Sequence, residues 1–548
     1  MDRPLSILLS PWVSLYNILT AVALVHQYLN YCIANYPPTR NDSFGISFTW
    51  PHPPWNHLCL LLHLPHHQKW PETSTGSPRP TNNWQPPYAR HSTSPKSSPS
   101  SQKIWAHNVN KTRLRTSHRG FITARRELFL KNHDVVFASR PKVQASEYLS
   151  YGSKGMAFTQ YGSYWRTTRK WCTLHLLSAS KVEQFAPVRK AELGSLVETL
   201  KKAAAAGETV DLSQKAGKAI EDIMFRMIFG RSNFNIGTFS LKPEAEEILH
   251  LTGAFNVSDY VPFLAPLDLQ GLAKRLKISS KVIDAILEKI IDEHVHQMTN
   301  LKEQQPHRDF VDVMLSLLNK PMDPHDEEHK YIIERTNIKA ILVDMVSAAF
   351  DTSATAVEWT MAELLRHPRV MFNLQQELEN VVGRNRMVEE SDLPNLIYLD
   401  MVIKESLRLH PVAPLLVPRE STDDITINGH FIPKKSRILV NVWAMARDSN
   451  VWSDNAEEFF PERFKDNNID LRGKHFQLIP FGSGRRGCPG MQLGLINVRL
   501  ALAQLVHCFE WQLPDGMSPA ELDMGEKFGL TMPRANHLLV KPTYRLLD

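Results

Sequence analysis

Residues 481–490 read FGSGRRGCPG, and two incompatible kinds of chemistry compete for them. Gly482, Gly484 and Gly487 satisfy G-x-G-x-x-G, the spacing of a turn that cradles the pyrophosphate of a dinucleotide. Cys488 follows at once, a lone cysteine placed as a metal ligand would be. The cradle needs further strand–helix units downstream to complete its sheet, yet only 61 residues follow Gly487, enough for one helix and a short β-rich tail. Arg485, Arg486 and Pro489 also stand where a pyrophosphate wants bare backbone amides leading into a helix. The ligand reading accounts for more residues. A thiolate must be anionic to hold a metal, and a Gly-rich loop feeding a helix near Met491 offers N–H groups and a positive dipole end that lower the sulfur's pKa. A merely buried free cysteine would leave the spacing F-x-x-G-x-R-x-C-x-G unexplained.

The rest of the chain suits an enzyme. Its 548 residues, 43% hydrophobic and 22% charged, can bury a large core. A formal net charge of +6, from 63 basic and 57 acidic residues, is mild and scattered; it argues against nucleic acid and is compatible with an acidic partner or a membrane surface. The five cysteines (Cys32, Cys59, Cys172, Cys488, Cys508) show no C-x-x-C, so no zinc site or disulfide framework is indicated and a reducing compartment fits. Residues 5–25 form an apolar run of bilayer-crossing length, which makes residues 1–30 an N-terminal membrane anchor; a cleaved signal peptide lacks a small-x-small site here. Residues 31–124 are rich in Pro, His, Ser, Thr and Asn and, taken literally, read as disordered linker. Residues 125–548 carry amphipathic periodicity at 180–205, 279–300, 338–365, 370–382 and 491–509, with short strand-like runs at 425–427, 437–442 and 537–541. The predicted fold class is mainly α with small β-sheets.

Phe481, Gly484, Arg486, Cys488 and Gly490 resemble the heme-binding signature of cytochromes P450. The resemblance implies the cytochrome P450 fold over about residues 125–548 and heme b, with the Cys488 thiolate as axial ligand to the iron, Phe481 packed beside the sulfur and Arg486 paired with a heme propionate. Trp165 and Arg169 match the family's W-x-x-x-R helix, whose side chains reach the propionates, and Arg419 in LLVPRE resembles a further propionate partner. Glu405 and Arg408 form an E-x-x-R pair that, on spacing alone, is an ordinary helical i,i+3 pair. With Arg463 of FFPERF it resembles the family's buried Glu–Arg–Arg cluster, which holds the loop leading to the cysteine. AAFDTSAT is similar to the family's oxygen-activation segment, in which Thr352 hydrogen-bonds dioxygen or a water and Asp351 helps relay protons; Ala349 stands at the usual second Gly and Ser353 at the second Thr. By family position residues 148–158, 412–416 and 528–531 line the substrate pocket, Val412, Leu415, Leu416, Phe528 and Leu530 among them.

The details are similar to plant-type microsomal members, which implies an endoplasmic-reticulum protein with its catalytic domain in the cytosol. The implied reaction is insertion of one oxygen atom of O2 into a hydrophobic small molecule. Electrons would come from a separate NADPH-cytochrome P450 reductase, with cytochrome b5 as a further partner, and Lys170, Arg472, Lys474 and Arg485 are candidate docking contacts. The alternatives are a non-oxygenating heme-thiolate isomerase or dehydratase, a heme sensor, and an inactive or partly folded product of a frameshifted gene or gene model.

That last alternative rests on residues 68–123, which read as translation in the wrong frame. Shifted by one base, each Trp codon, TGG, must give Gly, so Trp84 and Trp105 become glycines. With allowed codons, residues 74–81 (STGSPRPT) yield PPGPRGLP, 82–90 yield IIGNLHMLG, 104–113 yield YGPIMSIRLG and 116–123 permit PHIVVSSP. These are the Pro-rich hinge, first helix approach and first strands of the resembled family, in order and at the right distance from FLKNHDVVFASRP.

Overall fold

The computed structural model describes residues 126–548, apart from residues 233–234, 237–238, 301–308, 327, 350 and 548. The anchor at 1–30 and the tract at 31–124 lie outside the described residues. The fold is helical, as the periodicity predicts. Its main helices are α1 (Ser163–His175), α2 (Ala186–Ala206), α3 (Leu212–Phe229), α4 (Leu272–Asn300), α5 (Arg335–Ala349), α6 (Asp351–Arg366), α7 (Pro368–Val382), α8 (Ile397–Leu409) and α9 (Met491–Cys508).

Where the boundaries differ from the sequence reading, the cause is local. The run at 180–205 is two helices, Ala179–Gln184 and α2, parted at Phe185 with Pro187 in the first turn of the second. Proline disfavours a helical residue before it, and its missing N–H is harmless only at a helix start. The strand expected at 437–442 stops at Ile438, because the Asn441 side chain accepts from the Ala444 N–H and starts a short helix, Val442–Ala446. The last strand runs Leu539–Tyr544 rather than 537–541.

The sheets are small. β1 (Val210–Asp211), β2 (Arg419–Glu420), β3 (Ile425–Ile427), β4 (His430–Ile432), β5 (Arg437–Ile438), β6 (Phe509–Gln512) and β7 (Leu539–Tyr544) pair antiparallel as β1–β7–β6, β2–β5 and β3–β4. The β3–β4 hairpin turns at Asn428 and Gly429, both at positive φ (50° and 79°), the conformation an Asn-Gly hairpin favours.

α6 lies at the centre of the core, packed against α3, α8 and α9. By length and apolarity Arg335–Arg366 could cross a membrane, but it is mostly buried inside the protein. This central helix brings Asp351 and Thr352 into the interior, while α9 carries the cysteine loop at its N-terminal end.

Candidate heme-thiolate site

The glycines of the opening motif shape a loop. Gly482 and Gly484 have φ of +70° and +68°, which disfavours any side chain, and a Cβ on Gly484 would fall 2.6 Å from both Asp134 Oδ1 and Leu130 O. The loop closes on itself where the Cys488 N–H donates to Phe481 O at 2.8 Å. Asp134 then pins it from outside, accepting from the Arg485 N–H at 3.0 Å and from Arg485 Nη1 at 3.0 Å.

Cys488 is surrounded by protein, yet its side chain is accessible to solvent. Burial pushes its thiol up, against the Gly490 N–H and the Arg169 charge, which pull it down. The sequence reading expected the loop to lower this pKa. The amides do act that way, but desolvation of the sulfur is the larger effect.

Around the cysteine loop stand four mostly buried guanidiniums from four distant segments. Arg169 donates to Gly487 O at 2.6 Å. Arg486 donates to Ala138 O at 2.6 Å and lies 4.1 Å above the Trp165 ring. Arg419 donates to Ser483 O at 2.6 Å and pairs with Asp134 at 3.1 Å. Arg140, which the sequence reading missed, donates to Ala157 O, Val417 O and Pro418 O at 3.1, 2.5 and 2.7 Å. The Trp165 indole N–H donates to Met156 O at 3.1 Å. The four charges repel: desolvation and then Arg419 and Arg169 bring Arg486 down to about 9, and desolvation, Arg486, Arg419 and Arg169 lower Arg140. Four cations facing one paired carboxylate call for anions, and the two carboxylates of a heme meet that need. Gly490 fits as well. Its backbone is ordinary and a Cβ there would meet nothing within 4 Å, so no protein atom requires glycine at the position next but one to the thiol.

Across the interior, the Thr352 hydroxyl donates to Ala348 O at 2.8 Å, within the helical run. The Asp351 carboxylate accepts from Thr531 Oγ1 at 2.5 Å; burial raises its pKa, while Thr531 and Lys527 oppose the shift. That bond ties the 528–532 turn to α6. The turn is tied again by Trp359 Nε1 to Met532 O (2.8 Å) and by the Met532 N–H to Val412 O (2.9 Å). Val412 is buried, Leu415 and Leu416 are half-buried, and Leu416 lies beside Gly482. Leu530 abuts Gly253, whereas Phe528 is 66% exposed.

Behind the loop, Glu405 accepts from Arg408 Nε and Nη2, Arg463 Nε and the Phe460 N–H, each at 2.8 Å. Arg408 spends its remaining donors on Ala446 O and Ala456 O (2.6 Å each) and Glu458 O (3.0 Å). One carboxylate and two guanidiniums thus bind residues 446–463 to α8, a role that i,i+3 spacing alone does not reveal.

The cytochrome P450 family model matches residues 123–539. The chain belongs to the cytochrome P450 family. It is 57% identical over 420 residues to cytochrome P450 CYP736A12 of Panax ginseng, covering 77% of this chain and 83% of that one. It is 43% identical to cytochrome P450 71A1 of Persea americana (74% and 80% covered) and 40% identical to the flavonoid 3'-monooxygenase of Petunia hybrida (76% and 81%). Among solved structures, a zebra fish cytochrome P450 with abiraterone superposes with a TM-score of 0.62 at 27% identity, over 77% of this chain and 91% of that one. This cytochrome is therefore a plant-type P450 and an oxidoreductase. The family match opens at residue 123, where the atypical tract ends.

Proposed function

We propose that this cytochrome is a heme-thiolate monooxygenase of plant specialised metabolism, holding heme b through Cys488 and oxygenating a hydrophobic small molecule. The carrying observation is the set of four largely buried guanidiniums gathered at the loop of a solvent-accessible cysteine, with Asp134 paired to one of them, Arg419. When bound, heme supplies the oxygen-activating chemistry, and the chain supplies orientation and protons. Arg169, Arg419, Arg486 and Arg140 would hold the propionates, with Trp165 stacked on Arg486. Phe481, Gly484 and Gly490 would shape the loop around the ligand. Asp351, its pKa raised by burial, holds a proton at Oδ further up the pH scale than an open aspartate does. The Thr352 hydroxyl, now on Ala348 O, can turn to pass a proton on. Val412, Leu415, Leu416, Phe528 and Leu530 would give the pocket its apolar lining.

Electrons would arrive from NADPH-cytochrome P450 reductase, with cytochrome b5 as an accessory donor. Lys170 and Arg485, two of the candidate docking contacts, line one cavity of about 390 Å³ with Trp165 and Arg169, which supports this reading. Residues 1–30 would anchor the protein in the endoplasmic-reticulum membrane with the catalytic domain in the cytosol.

The test is the reduced CO spectrum of the full chain. Thiolate ligation gives a red-shifted Soret band, and Cys488→Ser should abolish it. An unchanged band in the variant refutes the assignment.

A further inference from the structure

One peptide group, Met156–Ala157, is gripped at both ends by side chains from different elements. Its N–H, from Ala157, donates to Asp344 Oδ2 at 3.0 Å. Its carbonyl, from Met156, accepts from Trp165 Nε1 at 3.1 Å and Arg486 Nη1 at 3.3 Å. The preceding peptide places the Met156 N–H on the same Asp344 oxygen at 2.5 Å, and the following one presents Ala157 O to Arg140 Nε at 3.1 Å. Asp344, on α5, therefore holds the N–H side of this stretch, and the propionate arginines hold its C=O side. A peptide is planar, so fixing its N–H direction fixes its C=O direction.

The contact is a close-fitted one. A Cβ on Gly155 would lie 2.3 Å from Asp344 Oδ2 and 3.1 Å from Ala340 O, so the loop can come this near only with glycine. Asp344 is buried, and among the described residues no Lys, Arg or His forms an ion pair with it; the charged or titratable groups near it are Cys172 and Tyr164 of α1. Burial pushes its carboxyl up to about 6, even with two amides pulling it down. A carboxylate buried without a cation costs stability, which leaves orientation as its return. Just upstream, Tyr151, Gly152 and Ser153 all lie at positive φ (51°, 71° and 66°), a left-handed run with two non-glycine members that relaxes if the grip is lost.

We propose that Asp344 is a positioning residue of the site: it aims the Met156 carbonyl at Trp165 and Arg486, and so sets a guanidinium that receives the cofactor's carboxylates. The effect on the cofactor rests on the heme reading above; the orientation of the peptide does not.

Hydrogen exchange on the full chain, followed by mass spectrometry of fragments spanning residues 151–160, reads the first part. Asp344→Ala should cut protection of the Met156 and Ala157 amides by about 10-fold or more. Asp344→Asn, whose amide oxygen can accept both N–H groups, should stay within about 3-fold of wild type. Unchanged protection in Asp344→Ala, or equal loss in both variants, overturns the proposal. Titration of the heme-free chain with hemin, read at the Soret band, tests the second part: affinity should fall in Asp344→Ala and recover in Asp344→Asn. Lost protection with unchanged hemin affinity overturns the link to the arginines, whereas failure of the wild type to bind hemin overturns the heme reading instead. If Asp344→Ala does not fold, Gly155→Ala displaces the same loop with Asp344 in place and should expose the same two amides; unaltered protection there also overturns the proposal.

Discussion

Glu405→Gln isolates the worth of the cluster behind the cysteine loop, because it keeps the side-chain shape and removes one charge. Glu405 and Arg408 are both 0% exposed and Arg463 is 9% exposed, so water replaces little of what is lost. The carboxylate accepts four hydrogen bonds, three of them from guanidiniums. A glutamine offers one acceptor oxygen and turns an NH2 toward the arginines, leaving two buried cations with that oxygen, backbone carbonyls and the Asn455 side chain but no carboxylate. Each hydrogen bond between charged groups contributes about 1.5–3 kcal/mol, and removing one partner of a buried pair costs about 3–5 kcal/mol. The bonds share one carboxylate, so they do not add, and a loss of about 4 kcal/mol is expected. Against a native stability of about 5–15 kcal/mol that is a quarter or more of the total. Equilibrium urea unfolding followed by far-ultraviolet circular dichroism should show it, with the heme Soret band lost at lower urea than helicity, because the cluster holds the segment that leads to the cysteine. Adding Arg408→Gln should cost less than the two single changes summed, since each alone strands its partner. A Glu405→Gln variant within about 1 kcal/mol of wild type would falsify this account of the cluster.

Thr352→Ala should leave heme and substrate binding intact while product formed per reductant consumed falls and peroxide rises; a wild-type ratio makes Thr352 structural only. Glu363 supplies a pH test. Burial alone would raise its carboxyl, but hydrogen bonds from His367 and His410 bring it from 4.5 to about 2. A depressed carboxylate contributes stability that is present above its unfolded pKa and lost as pH falls toward the folded one. The urea midpoint of wild type should thus exceed that of Glu363→Gln most at about pH 5–6; the margin should shrink between about pH 4.5 and 2, and shrink again as pH rises through the pKa of His367, which the same hydrogen bond raises; a margin that does not change with pH removes the assignment. Finally, the transcript bases for residues 68–123, read one position on, should encode PPGPRGLPIIGN, and a cDNA that does not contradicts the frame reading.

Several elements could be read because their causes are local. Asn428–Gly429 sets its hairpin by the positive φ that both residues accept, and the apolar period at 370–382 finds its helix in α7, begun by Pro368. Other features depend on chain segments that only folding brings together. Asp134 meets Arg485 across 351 positions, Arg140 reaches Val417 O across 277, and Asp344 meets Met156 across 188. Nothing in VVFASRP distinguishes Arg140 from a surface arginine until its neighbours are known.

The sequence by itself determined the family and the chemical type of the site, because F-x-x-G-x-R-x-C-x-G and AFDTSAT each pack their information into a dozen residues or fewer. It also determined most helices, since a 3.6-residue period is a property of contiguous chain. Tertiary structure alone decided the electrostatics. Whether the Cys488 thiol is pulled down by its amides or pushed up by burial depends on how much protein surrounds it. The gathering of Arg140, Arg169, Arg419 and Arg486 into one positive pocket depends on four segments meeting in space. Desolvation and Coulomb terms are set by distance through the fold, not by distance along the chain.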